Sequence, residues 1–201
     1  MILGFKNDEK QIVNLAHELN VNWGIIQVHY FPDNECKLTL PPQLPEQVTL
    51  YCTLDRPNEK LIQLMLAADT ARQCGAKQLK LIAPYLCYMR QDKAFFPGES
   101  ISQKSIGHFL ANLFDVIITV DPHLHRIDHL EEVIPNTKVF TLSATGLMTE
   151  FIQEKGYKPL LLGPDAESEQ WVSQIARPLK LDFTICNKIR TDDNQVIIDL
   201  P

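Results

Sequence analysis

Short apolar runs alternate along the chain with longer segments in which apolar residues return every three or four positions. The runs cover residues 23–28, 48–53, 78–83, 116–120, 138–142, 160–162, 183–186 and 196–198. Their continuous apolar character, rich in Val, Ile and Leu, predicts strands covered on both faces. Between them, residues 7–19 place Ile12, Leu15, Ala16 and Leu19 on one helical stripe, and residues 58–73 do the same with Leu61, Leu64, Met65 and Ala68. Residues 102–113, 144–155 and 166–179 carry the same period and also read as helices. This alternation predicts an α/β fold built on doubly wound, mostly parallel sheets. The segment Ser-Ala-Thr-Gly at 143–146 reads as a loop and helix start, so the expected division is a first domain over 1–143 and a second over 144–201.

Composition narrows the class. Of 201 residues, 45% are hydrophobic and 22% charged, the balance of a packed globular chain and not of a disordered one. Counting 19 Lys and Arg against 25 Asp and Glu gives 19 − 25 = −6, which disfavours nucleic acid or an anionic membrane as partner and leaves room for a local basic pocket that takes a small anion. The first residues lack the basic region and apolar stretch of a secretory signal, and no apolar run approaches the roughly 18 residues of a membrane span. Five cysteines without a Cys-x-x-Cys pair read as reduced thiols. The expected address is the cytoplasm.

In parallel sheets, ligands gather where strands end at their carboxyl edge, so polar clusters that follow strands are the candidates for chemistry. In Tyr-Met-Arg-Gln-Asp-Lys at 88–93, Arg90 could fork onto phosphate oxygens, Lys93 could add a point charge and Gln91 could read a base edge; a solvated loop is the competing reading. Asp121, His123 and His125 stand two apart after the most apolar strand and, if extended, face one site for a divalent metal or its phosphate ligand; a ligand-free loop pair is the alternative. Asp165 in Gly-Pro-Asp could ligate a metal or a hydroxyl, or simply cap the next helix. Phe31, Asp33 and Glu35 form a turn in which a ring could stack on a base and the acids accept from an amine. Lys188 and Arg190 could reach a transferring phosphate or line a solvated strand face. Neither a Walker loop nor Gly-x-Gly-x-x-Gly occurs.

Taken in order, these segments resemble the ribose-phosphate diphosphokinase (phosphoribosyl pyrophosphate synthetase) family. The matching pieces are Phe-Pro-Asp-Asn-Glu at 31–35, Asp-Arg-Pro-Asn-Glu at 55–59, Pro-Tyr-Leu-Cys-Tyr-Met-Arg-Gln-Asp-Lys at 84–93, Pro-Gly-Glu-Ser-Ile-Ser at 97–102, Val-Asp-Pro-His at 120–123, Gly-Pro-Asp at 163–165 and Lys-Ile-Arg at 188–190. The resemblance implies two tandem phosphoribosyltransferase-like domains that transfer the β,γ-diphosphoryl group of ATP to the 1-hydroxyl of ribose 5-phosphate, with Mg2+. It further implies a homo-oligomer in which Phe31, Asp33 and Glu35 embrace adenine from a neighbouring subunit. Arg90, Gln91 and Asp92 would hold ATP, and His123 and Asp121 would lie at magnesium and the phosphates. Asp165 would orient magnesium or the ribose hydroxyls, and Lys188 and Arg190 would stabilise the transferring group.

Three departures qualify that picture. Asn34 stands where the family has glycine, and Ala94 replaces a second basic residue after Lys93. The family's ribose-phosphate loop is expected after residues 196–200, and the sequence reaches Pro201 without it. The sequence therefore reads as the N-terminal two-thirds of such a synthetase, its second domain incomplete. A non-catalytic homologue that associates with synthetase subunits, and a zinc hydrolase built on Asp121, His123 and His125, are the two competing readings.

Overall fold

The computed structural model describes the backbone of residues 1–192 and 195–201 and the side chains of residues 1–188 and 197–201. The chain forms two compact units, Met1–Leu142 and Ser143–Pro201.

The first unit is built on six parallel strands: β1 (Ile2–Gly4), β2 (Trp23–Ile25), β5 (Gln47–Tyr51), β6 (Gln78–Ala83), β7 (Val116–Val120) and β8 (Lys138–Leu142). They lie in the order β2-β1-β5-β6-β7-β8. Helices α1 (Glu9–Glu18), α2 (Pro57–Gln73) and α3 (Ser102–Leu113) supply crossovers. Consecutive strand residues face opposite ways, and the two faces hold separate cores. Leu3, Leu50 and Leu81 pack with Leu61 and Leu64 of α2 and Leu110 of α3, whereas Ile2 and Tyr51 pack with Ile12 and Ala16 of α1. Each fully buried leucine contributes about 1.5–3 kcal/mol relative to an exposed one. Close approach is required at two glycines. A Cβ on Gly4 would lie 2.5 Å from the Tyr51 carbonyl oxygen, and one on Gly107 in α3 would lie 2.1 Å from the Val133 carbonyl oxygen.

The apolar run 23–28 is not one strand. β2 ends at Ile25, the buried Ile26 donates its N–H to the Gly4 carbonyl at 2.8 Å, and the chain then enters β3 (Gln27–Tyr30), which pairs with β4 (Cys36–Thr39) in a separate antiparallel hairpin. Ile25, Ile26 and Val28 all pack, Ile25 against one core and Ile26 and Val28 against the other, while Gln27 between them is exposed. The inner strand β1 went unread in the sequence: with three residues it is too short to show a period, although all three are buried.

The second unit contains α4 (Thr145–Lys155), β9 (Leu161–Gly163), α5 (Glu169–Leu179) and β10 (Phe183–Ile185), with β9 and β10 parallel. An antiparallel hairpin follows, β11 (Asn187–Asp192) and β12 (Gln195–Asp199). Among the described residues, no helix is long and apolar enough to cross a membrane.

Candidate active-site elements and family

In the first unit the strand order reverses at β1 and β5, since the chain runs outward to β2 on one side and to β6, β7 and β8 on the other. Loops leaving the two strands diverge there, and such reversals open crevices at the carboxyl edge. A cleft of about 670 Å³ occupies this place, lined among others by Asp8, Tyr30, Cys52, Arg56, Lys60 and Gln63. The buried Asp8 carboxylate accepts from the Thr53 N–H at 3.1 Å and so ties the two loops together. Lys60 donates to the Thr53 carbonyl at 2.6 Å and pairs with Asp55. The hydrogen bond from Lys60 holds the Asp55 carboxyl below the usual carboxylate range. Burial pushes the Cys52 thiol up to about 12, with the Asp8 charge adding to it, so this thiol is an inert core group.

The turn at 31–35 joins β3 to β4. Phe31 and Glu35 close it, the Phe31 N–H donating to the Glu35 carbonyl at 2.8 Å, and Asp33 Oδ1 accepts from the Glu35 N–H at 3.1 Å. Asn34 has φ 68°, a left-handed conformation that asparagine tolerates better than most residues, which explains how it replaces glycine here. Phe31 is 42% exposed and meets the His29 ring edge to face at 4.9 Å. Below the turn, Tyr30 donates its hydroxyl to Glu59 at 2.5 Å, and Gln63 donates to the Tyr30 oxygen at 2.7 Å and to Glu59 at 3.2 Å. The hydrogen bond it donates to the Glu59 carboxylate raises the Tyr30 pKa, because it stabilises the protonated phenol. Gln63 was missed in the sequence, yet a signal exists: it is a buried polar residue beside Leu64 on the apolar stripe of α2.

The loop after β6 is stitched to α3. The Ser102 N–H donates to Gln91 Oε1 at 2.5 Å, the Gln103 N–H donates to the Gln91 carbonyl at 3.1 Å, and Gln91 Nε2 donates to the Lys93 carbonyl at 3.1 Å. Both ends of the Gln91 amide thus join the loop to the helix start. Arg90 stays exposed beside it. The Asp92 side chain is only 9% exposed; its Oδ1 lies 3.4 Å from Arg126 Nε, and its Oδ2 has no hydrogen-bond partner among the described residues. A buried carboxylate oxygen left open this way is unusual in a folded protein.

Asp121, at the end of β7, has φ 42° and donates its N–H to the Leu142 carbonyl at 2.9 Å. The left-handed residue breaks the extended alternation expected from Asp121 to His125. His123 and His125 nonetheless remain neighbours, their rings edge to face at 4.2 Å.

In the second unit, Asp165 does two jobs. Oδ1 accepts from the Ser168 N–H at 3.2 Å and caps the turn that leads into α5, while Oδ2 pairs with Lys188 Nζ at 3.1 Å. Arg190 follows Lys188 by two residues in β11; its side chain lies outside the described residues.

The first unit is an α/β domain with a parallel sheet and polar loops at its carboxyl edge. Residues 1–113 match the family model described as the N-terminal domain of ribose phosphate pyrophosphokinase. The chain therefore belongs to the ribose phosphate pyrophosphokinase family. It is 29% identical over 199 residues to the ribose-phosphate pyrophosphokinase of Methanobrevibacter smithii, covering 98% of this chain and 65% of that one. It is 34% identical over 180 residues to that of Saccharolobus solfataricus, covering 88% and 60%. The chain thus spans less than two-thirds of the length of these relatives. A crystal structure of phosphoribosylpyrophosphate synthetase from Mycobacterium smegmatis superposes with a TM-score of 0.77 at 22% identity, covering 98% of this chain and 66% of the other, which establishes the shared fold.

Proposed function

We propose that this chain supplies the ATP side of a ribose-phosphate pyrophosphokinase, which transfers the β,γ-diphosphoryl group of ATP to ribose 5-phosphate. The observation that carries this reading is the family match over residues 1–113. The site residues add chemical support. The sugar's 1-hydroxyl oxygen forms a bond to the β-phosphorus, the bond from that phosphorus to the α,β-bridging oxygen breaks, AMP leaves, and the hydroxyl proton goes to solvent. Such a transfer needs positioned cations more than a covalent nucleophile. Lys188 supplies one, oriented by its ion pair with Asp165, and Arg190 is its partner on the same strand. Arg90 takes phosphate oxygens, and Gln91 and Asp92 beside it complete the hold on ATP. Phe31, Asp33 and Glu35 receive adenine, from a neighbouring copy in a homo-oligomer.

Magnesium takes hard oxygen ligands, and Asp121 at the end of β7 offers one. His123 would lie beside the metal at the phosphates, and Asp165, whose two oxygens accept from Ser168 and Lys188, would orient a magnesium ion or the ribose hydroxyls with its remaining lone pairs. When bound, magnesium neutralises charge on the β- and γ-phosphates. We place the protein in the cytoplasm, where ATP and reduced thiols coexist.

The test is release of AMP by the protein purified from its own cells. Release that depends on ribose 5-phosphate, and that falls about 10²-fold or more with Lys188→Ala, supports the reading. AMP release indifferent to the sugar contradicts it.

A further inference from the structure

We propose that Tyr30 is a positioning residue for the nucleotide base: through Glu59 and Gln63 it fixes the β3–β4 turn, and with it Phe31, to the first turns of α2. The inference rests on the reading of Phe31, Asp33 and Glu35 as the adenine clamp and goes beyond it, because Tyr30, Glu59 and Gln63 touch no substrate in that reading.

The turn is rigid within itself. It is closed by the Phe31–Glu35 backbone bond, by the Asn34 N–H donating to the Phe31 carbonyl at 2.9 Å, and by the Asp33 side chain on the Glu35 N–H. Internal rigidity fixes its shape and leaves its place on the domain open. Tyr30 sits at the closing pair of the hairpin, opposite Cys36, and is therefore the last residue before the turn whose side chain can tether it. The hydroxyl uses both of its capacities, donating to Glu59 and accepting from Gln63. The helix side of the tether is firm, because Gln63 is buried and Glu59 lies one turn before it on the same face of α2. A neutral phenol bonded to a carboxylate is also a charge-assisted hydrogen bond, stronger than a neutral pair. Loss of the tether lets the turn move as a unit, which weakens recognition of the base and leaves contacts to the phosphates untouched.

The experiment compares binding of magnesium ATP and magnesium triphosphate to the assembled protein by calorimetry. Tyr30→Phe is expected to weaken ATP about 3- to 10-fold and leave triphosphate unchanged. Glu59→Gln, whose amide oxygen still accepts from Tyr30 but without the charge, is expected to weaken ATP less than Glu59→Ala, which is expected to bind like Tyr30→Phe. Phe31→Ala is the reference for the clamp itself. If Phe31→Ala weakens ATP and Tyr30→Phe does not, the positioning role is overturned and the clamp stands. If Phe31→Ala binds ATP normally, the clamp reading fails and the positioning role falls with it. Equal weakening of ATP and triphosphate by Tyr30→Phe indicates general structural damage and overturns the proposal as well.

Discussion

The two units bury their apolar residues very differently. In the first, the inner strands β1, β5 and β6 are covered on both faces, and two separate cores absorb the residues of each strand in alternation. In the second, Leu147 and Phe151 of α4 are 71% and 55% exposed, and Leu160 just before β9 and Leu162 within it are exposed as well. The second unit is held more by specific polar contacts, among them the Asp165 cap, its pair with Lys188, and Thr145 donating to Gln174 at 3.2 Å. Volume and shape therefore govern stability in the first unit, and a few hydrogen bonds at strand and helix ends count for proportionally more in the second.

That contrast can be broken by substitution. The largest expected effect is in the first unit. Gly107→Ala drives a Cβ into the Val133 backbone and Leu64→Ala empties a fully buried position; each should cost about 2–5 kcal/mol of urea-unfolding stability. If either costs less than about 1 kcal/mol, the first unit is not governed by packing. Alkaline pH acts on the same core. The Cys52 thiol ordinarily titrates at 9.0 and is pushed up to about 12 in the folded chain, so the unfolded chain releases its proton first. Its contribution should be complete below about pH 9 and decline as pH rises from there toward 12. Cys52→Ala should flatten that slope in denaturation curves collected across the window.

Effects in the second unit should be smaller and polar in origin. Asp165→Ala removes a helix-start cap and leaves Lys188 without its carboxylate, for an expected loss of about 1–2 kcal/mol. Asp165→Asn, which keeps the cap, should recover most of it. Smallest of all, Phe151→Ser should change stability by no more than about 0.5 kcal/mol, because the ring is already more than half exposed. A loss above about 2 kcal/mol would show that this ring is covered in solution.

The α/β class was legible in the sequence because a run such as 116–120 keeps its apolar character only in a strand covered on both faces, and because such runs alternate with helical periods. Two features were not. β1 is too short for periodicity to register, and the chain leaves the sheet at Ile26, where a single polar residue, Gln27, interrupts the apolar run 23–28. At the candidate site, local chemistry such as the Asp165 cap could be read from neighbouring residues. The Gln91 link to α3 and the Tyr30–Glu59–Gln63 tether could not, because they join segments 11 to 33 residues apart that carry no shared period.

ATP labelled at the β-phosphorus tests most directly which phosphorus is attacked. Incubated with the protein, magnesium and ribose 5-phosphate, the label should appear in the sugar product while unlabelled AMP is released. Label retained in ADP, or set free as phosphate without the sugar, would contradict diphosphoryl transfer.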